Sequence, residues 1–265
     1  MSRYYRSFLE ESTIPYTTRT TAFASATGIT DTTILGALNT FDLGLISNGL
    51  DTKMKALYPF VGGTASTHKY NFMDARDLDA AFRLTFNGGW VHSSNGVLGN
   101  GTNTYMNTFL IPSTVYADFK TSGFGVYSRT NETGDVAEGS EALGGSGVNA
   151  LYPRILTFAD YYVCGKETTG TVADSLGLTV GSQISATNRR LYRNGTKIAT
   201  TTGTIGTTIP SVNMYFGAIN GGTAAHNIGA KSYAFAFHCE NMTDTDQTNL
   251  YTLTQAFQTT LSRQV

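Results

Sequence analysis

The sequence predicts a mainly β protein: a two-sheet sandwich with a short helical segment near its N-terminus and one helix at its C-terminus. The first observation is a series of short alternating segments, separated by turn residues at roughly 8–12-residue spacing, which is the pattern of sandwiches and barrels. The second is composition: threonine (42 residues), tyrosine (15) and glycine (29) are abundant, proline (5) is scarce, and only 14% of residues are charged. Threonine and tyrosine suit pleated, half-buried surfaces, and glycine supplies turns. The third is the stretch over residues 189–257, where Asn194-Gly195 stands between alternating residues. That dipeptide asks for a type I′ hairpin turn, with positive φ at both central positions. Strands around residues 214–217 and 232–237 follow, and an amphipathic helix is expected over residues 244–261.

Taken in order, residues 1–26 show no clear periodicity and read either as disordered or as an arm that orders on a partner. Residues 27–60 form a helical segment. Thr30-Asp31-Thr32-Thr33 offers caps before Ile34, Leu38, Phe41 and Leu45, which share one helix face, and Asn48-Gly49 ends the run. A second short helix is expected over residues 50–58, stopped by Pro59. The sandwich then occupies residues 61–265. Its strands are expected near residues 81–86, from Trp90, and over 108–111, 124–128, 156–164, 176–184 and 191–199, with a glycine-rich loop over 131–147.

Charge and hydropathy exclude several classes. The net charge of −1 leaves no basic stripe for phosphate neutralisation, so nucleic acid is not an expected partner. The densest basic cluster, Arg189, Arg190 and Arg193, reads as a solvated strand edge. No segment approaches the ~18 apolar residues of a membrane helix, and the N-terminus lacks the apolar core of a signal peptide, so synthesis in a cytoplasm is expected. Cys164 and Cys239 sit in apolar strand-like runs and read as buried free thiols.

Catalytic and metal motifs are mostly missing. There is no phosphate-binding Gly-rich loop, no nucleophile elbow and no zinc helix, and His68, His92, His226 and His238 share no ligand-like spacing. A sandwich glycosidase needs two carboxylates on one strand face, hence an even spacing. Glu138 and Glu141 are three apart, and Asp77 and Asp79 stand on a turn-like segment, so no catalytic residue is assigned. No cofactor is expected. Calcium has two candidate loops, Asn131-Glu132-Thr133-Gly134-Asp135 and Asp244-Thr245-Asp246, the second better explained as a helix cap with Thr243 or Asp244 at its start. Exposed aromatic rings could hold a sugar, and Trp90, Tyr105, Tyr127 and Tyr152 are the candidates.

Particular residues carry a resemblance. Leu191-Tyr192-Arg193-Asn194-Gly195, Tyr215-Phe216-Gly217, Tyr233-Ala234-Phe235 and the run from Met242 to Tyr251 resemble the end of concanavalin-A-like (laminin-G-like) jelly-roll sandwiches, and Asn100-Gly101-Thr102-Asn103-Thr104-Tyr105 is similar to an early strand of that family. Three further segments are similar to structural proteins of tailed bacteriophages, including crAss-like phages: residues 55–66, 77–84 and 255–261. No metal-ligand set or sugar-binding triad of the lectins matches residue by residue. The resemblance implies a virion protein made in a host cytoplasm: a fibre, spike or decoration subunit. It would be joined to other virion proteins through residues 1–26, be homo-oligomeric (trimeric by family analogy), and contact host surface polysaccharide. A carbohydrate-binding module without a structural role, or a polysaccharide-degrading glycosidase, are the other readings.

Overall fold

A computed structural model describes residues 15–116, 121–134, 138–141 and 147–265, with residues 138–141 described by their backbone. Two antiparallel sheets face each other, and a layer of helices covers the outer side of the first. The first sheet runs Thr196–Thr202, Asn188–Arg193, Gly177–Ser185, Ser122–Ser128, Ser232–Glu240, Gly96–Leu98, Val91–Ser93. Met54–Tyr58 joins the same edge of Ser232–Glu240 as Gly96–Leu98. The second sheet runs Lys166–Thr171, Phe158–Val163, Val148–Ile155, Glu138–Glu141, Tyr215–Phe216, Tyr105–Asn107, Thr85–Asn87. A small hairpin of Ile219–Asn220 and Ala225–His226 attaches beside Glu138–Glu141.

Strand alternation divides the apolar residues between two cores. Phe124 and Val126 enter the space between the sheets with Leu151, Tyr161, Leu191, Phe216 and Tyr233. Tyr127, Leu178, Val180, Tyr192, Phe235 and Phe237 point the other way, under the helices. Ser232–Glu240 is buried at both parities, as befits a strand covered on two faces. Burying each of its phenylalanines contributes on the order of 2 kcal/mol. The sheets approach closely where Gly181 lies under the Tyr161 ring: a Cβ there would sit 2.0 Å from Tyr161 Cδ2.

The helix layer consists of Thr18–Thr27, Thr32–Ser47 and Asp244–Thr260. Asp31 caps Thr32–Ser47 by accepting the Thr33 and Ile34 N–H groups, and Leu38, Phe41 and Leu45 are buried. Thr243 and Asp246 form a reciprocal capping box at the start of Asp244–Thr260. The Asn194-Gly195 turn has φ of 48° and 74°, with both residues left-handed as its sequence demands.

Three expectations are corrected. Residues 50–58 are a short 3-10 turn, Asp51–Lys53, followed by the strand Met54–Tyr58, not a helix. Met54, Ala56, Leu57 and Tyr58 are buried on both strand faces, and a continuously apolar run has no period to separate helix from strand. Residues 18–26 belong to the folded body: Thr17 caps the helix Thr18–Thr27, Phe23 is buried, and Asp42 receives both Thr17 and Arg19. One buried apolar anchor per three turns leaves no pattern to read. Residues 1–14 lie outside the described residues. The arginine cluster is not a solvated edge either. Arg189 is 3% exposed and donates to the Gly203 carbonyl, while Arg190 pairs with Asp244 and Arg193 with Asp174. The acidic start of the C-terminal helix draws Arg190 in. His68 and His92, which share no ligand-like spacing, are brought together by the fold as a hydrogen-bonded pair (Nδ1 to Nδ1, 3.0 Å).

Candidate carbohydrate-binding face

The outer side of the second sheet carries the residues most suited to a ligand. Inner positions of its strands hold core side chains (Tyr161, Leu151, Phe216, Met106), so their neighbours in sequence face outward. Those neighbours are Tyr162, Asp160, Tyr152, Tyr215 and Tyr105. Register aligns them across the sheet: Glu167 lies opposite Tyr162, Tyr162 opposite Ala150, Ala150 opposite Gly139, Gly139 opposite Tyr215, and Tyr215 opposite Asn107. Three strand spacings of about 4.8 Å separate the rows of Tyr162 and Tyr215, roughly 14 Å in all.

Each end of this row is an aromatic pair. Tyr105 stacks on Tyr215 with centroids 4.5 Å apart and planes at 17°. Tyr152 meets Tyr162 edge-on at 6.0 Å. Between the pairs, Ile219 packs on Ala150 and Tyr152.

Polar groups surround the second pair. The Tyr162 hydroxyl donates to Glu167 Oε1 at 2.8 Å, and Asn227 Nδ2 donates to the Tyr152 oxygen at 3.0 Å. Burial first, then the Glu167 carboxylate at hydrogen-bond range, pushes the Tyr162 hydroxyl's pKa above the ordinary tyrosine value. Asp160 lies opposite both Tyr152 and Thr169 in the ladder. It is 6% exposed, and its Oδ1 accepts no hydrogen bond. Burial raises its carboxyl above the ordinary value, Glu167 adds to this, and a Thr169 hydrogen bond opposes it.

Of the four aromatic residues expected to offer ring faces, Tyr105 and Tyr152 stand on this side of the sheet, Tyr105 half-buried but Tyr152 only 9% exposed and packed with Ala150 and Ile219. The other two are interior. Trp90 packs among Phe86 and Tyr233 in the core between the sheets, against the space left by Gly217. Tyr127 is fully buried beneath the C-terminal helix and donates to Gln255 Oε1 at 2.8 Å. Tyr162, Tyr215 and Asp160 are functional candidates that sequence reasoning missed. A signal existed in Phe158-Ala159-Asp160-Tyr161-Tyr162-Val163, a strand whose two faces both carry aromatic rings.

The remaining acidic candidates are engaged elsewhere or known only by position. Asp77 pairs with Lys69 at 2.5 Å, and Asp79 with Arg83 at 2.9 Å. Register places Glu138 opposite Leu151 and Glu141 opposite Val148. In the first calcium candidate, Asn131 Oδ1 accepts from Arg154 and from the Ser175 N–H, and Thr133 accepts the Leu156 N–H; Asp135 lies outside the described residues. In the second, Asp244 is held by Arg190, Tyr192 and Lys197, which keep its carboxyl at a pKa of about 2, and Asp246 is held by Lys53 and Thr243. Among the described residues, no three His, Cys, Asp or Glu side chains converge as metal ligands, and no helix is long and apolar enough to cross a membrane. Cys164 and Cys239 are both buried, and burial pushes the Cys164 thiol up to about 12.

The chain is similar to several solved structures at low identity. The binding domain of botulinum neurotoxin serotype C1 superposes with a TM-score of 0.52 at 12% identity, over 77% of this chain and 53% of its own. The chain thus spans about half the length of that toxin domain. Domain 4 of an extracellular arabinanase from Geobacillus stearothermophilus, solved with arabinotriose, gives 0.47 at 13% identity, over 75% and 98%. A sialidase carbohydrate-binding module from Ruminococcus gnavus gives 0.38 at 15%, over 48% and 80%. No protein-family model matches the chain, and no curated protein sequence does. The fold is the concanavalin-A-like two-sheet jelly-roll sandwich, with an N-terminal helical segment and a C-terminal helix.

Proposed function

We propose that the protein is a non-enzymatic structural and adhesive component of a virion, a fibre, spike or decoration subunit whose second sheet contacts host surface glycans. The observation that carries the glycan reading is the placement of the half-buried rings of Tyr105, Tyr215 and Tyr162 on one outward sheet face, with the exposed Glu167 and Asn227 beside them. Aromatic faces stack on the apolar faces of sugar rings, and a few fixed polar groups orient the hydroxyls. The neurotoxin domain of the same fold is a binding domain, in keeping with a recognition role. The virion setting rests on the resemblance of residues 55–66, 77–84 and 255–261. Attachment to other virion proteins is assigned to residues 1–14, since the helix Thr18–Thr27 is engaged by the body. The subunit is taken to be homo-oligomeric, a trimer by family analogy, and to work without a cofactor. The non-enzymatic reading is supported by the engagement of Asp77 and Asp79 in ion pairs with Lys69 and Arg83.

Two measurements test this. On an array of bacterial surface glycans, the full chain is expected to bind, and Tyr105→Ala and Tyr162→Ala are expected to weaken binding. An array on which the folded wild type binds nothing overturns the glycan reading. Labelled antibody against the protein should decorate particles in electron micrographs. Undecorated particles from a producing culture overturn the virion reading.

A further inference from the structure

Residues 62–68 are fastened to the rest of the molecule at a single point. Just before them Val61 is 2% exposed, and Arg263 donates to the Phe60 carbonyl at 2.8 Å. Just after them the Lys69 carbonyl accepts the Leu84 N–H at 2.8 Å. Between these anchors the hydrogen bonds are internal. Thr64 and Thr67 form a capping box on the short helix Ala65–His68, the His68 N–H returns to the Thr64 carbonyl, and the Gly63 N–H donates to His68 Nε2. Among the described residues, the one hydrogen bond that leaves the segment joins His68 Nδ1 to His92 Nδ1 at 3.0 Å. Gly62 and Gly63 open the segment with φ of 89° and 74°, a left-handed pair that forms a ready hinge.

That fastening needs two neutral rings. His68 is 1% exposed, and both its nitrogens are engaged, Nε2 by Gly63 and Nδ1 by His92. A proton added to His68 must go to Nε2, where it meets the Gly63 N–H. A proton added to His92 Nδ1 meets the N–H of His68. Either event sets donor against donor, and one hydrogen bond is lost. The surroundings offer no relief. Phe60 packs on His68 with centroids 5.8 Å apart, and Phe86 on His92 at 4.5 Å. The charged group that acts on His68 is Arg263, another cation, while the adjoining Lys69 is turned to Asp77 at 2.5 Å.

We propose that the His68–His92 hydrogen bond is an acid-released latch: it holds residues 62–68 against the strand Val91–Ser93 at neutral pH and frees them on acidification, hinged at Gly62 and Gly63, while the two sheets stay folded. Gly62, Gly63 and Thr67 line a cleft of about 650 Å³ together with Ile34 and Leu261. Release therefore widens that cleft and wets its apolar wall. The sign follows from linkage. Burial holds both rings below the ordinary histidine value of 6.5 while the segment is closed. The closed state keeps its full advantage above pH 6.5 and loses it as pH falls. A ring that refuses its proton when closed and takes it normally when open favours opening by up to about thirtyfold between pH 7 and 5.

The test is amide hydrogen exchange of the full chain, read on peptides and corrected for the intrinsic effect of pH. From pH 7 to 5, protection over residues 63–68 should fall by about tenfold or more, with the strands Ser122–Ser128 and Ser232–Glu240 still exchanging far more slowly. His92→Gln offers an acceptor that does not titrate, and it should keep more of this protection at pH 5 than the wild type does. His92→Phe removes the acceptor and should free the segment already at pH 7. Three results overturn the latch. One is equal protection of residues 63–68 at both pH values in the wild type. Another is a segment that exchanges together with the core strands at pH 5, which is unfolding of the whole molecule. The last is a folded His92→Gln variant that loses as much protection as the wild type, or a folded His92→Phe variant that loses none at pH 7.

Discussion

His68 and His92 meet through their Nδ1 atoms at 3.0 Å, and the Gly63 N–H donated to His68 Nε2 decides which ring supplies the proton. With Nε2 accepting, the His68 proton sits on Nδ1, and His92 accepts it. Both rings are then neutral. Burial, then His92 and Arg263, hold His68 down at a pKa of about 3.

A pH dependence follows with a definite sign. Burial also holds His238 at about 3. Between the ordinary histidine value of 6.5 and about 3, the unfolded chain binds protons that the folded chain refuses. Stability should therefore be level above pH 6.5 and fall steadily as pH drops through that window. Urea midpoints measured from pH 8 to 4 check this. A midpoint that rises on acidification would contradict the neutral assignment.

Arg263 should be among the most sensitive positions. Its guanidinium, 1% exposed, donates to the carbonyls of Pro59, Phe60 and Ala234 and to the Gln258 side chain. Arg263→Met leaves these buried acceptors without donors, at about 3 kcal/mol or more. Arg263→Lys should recover only part, because one ammonium cannot reach the acceptors a planar fork serves. Equilibrium denaturation of the two variants gives the comparison.

Phe23 tests whether the first helix belongs to the body. Its ring lies 5.4 Å from that of Phe72, edge-on, and it is 1% exposed. Phe23→Ala should cost about 3 kcal/mol, as a core truncation does. A loss below about 0.5 kcal/mol, the size of a surface change, would mean the helix is loosely held.

Gly195 joins the hairpin to the C-terminal helix. Its φ is +74°, and a Cβ there would lie 2.9 Å from Tyr251 Cβ. Gly195→Ala should destabilise by about 1–2 kcal/mol from the backbone alone, with the contact adding to that. Thermal melts of Gly195→Ala and of Gly28→Ala, whose φ of +71° is nearly the same and whose Cβ would meet nothing within 4 Å, separate the contact from the backbone.

What was legible in the sequence was local. Asn194-Gly195, the Asp31 cap and the Thr243–Asp246 box each act within four residues, so their chemistry is visible in the chain itself. Residues 50–58 were misread because their burial comes from strand Ser232–Glu240, far along the sequence. The same distance hid the face: Tyr105 finds Tyr215, and Tyr152 finds Asn227, only through sheet pairing. Trp90 and Tyr127 looked like ligand platforms because an aromatic residue in a strand has two sides open to it, and only the other sheet or a helix decides which is covered.

Ser232–Glu240 is the last long strand in the sequence, yet it lies in the middle of the first sheet, bonded to Ser122–Ser128 on one edge and to Met54–Tyr58 and Gly96–Leu98 on the other. During synthesis the earlier strands therefore emerge with a gap where their shared neighbour belongs. At ~5–20 residues per second, that gap stays open for at least several seconds. Nascent chains on neighbouring ribosomes could fill it with each other's strands. Yield in a producing cell should thus depend on how fast the ribosome reaches residue 240 and on holdases that mask the open edge.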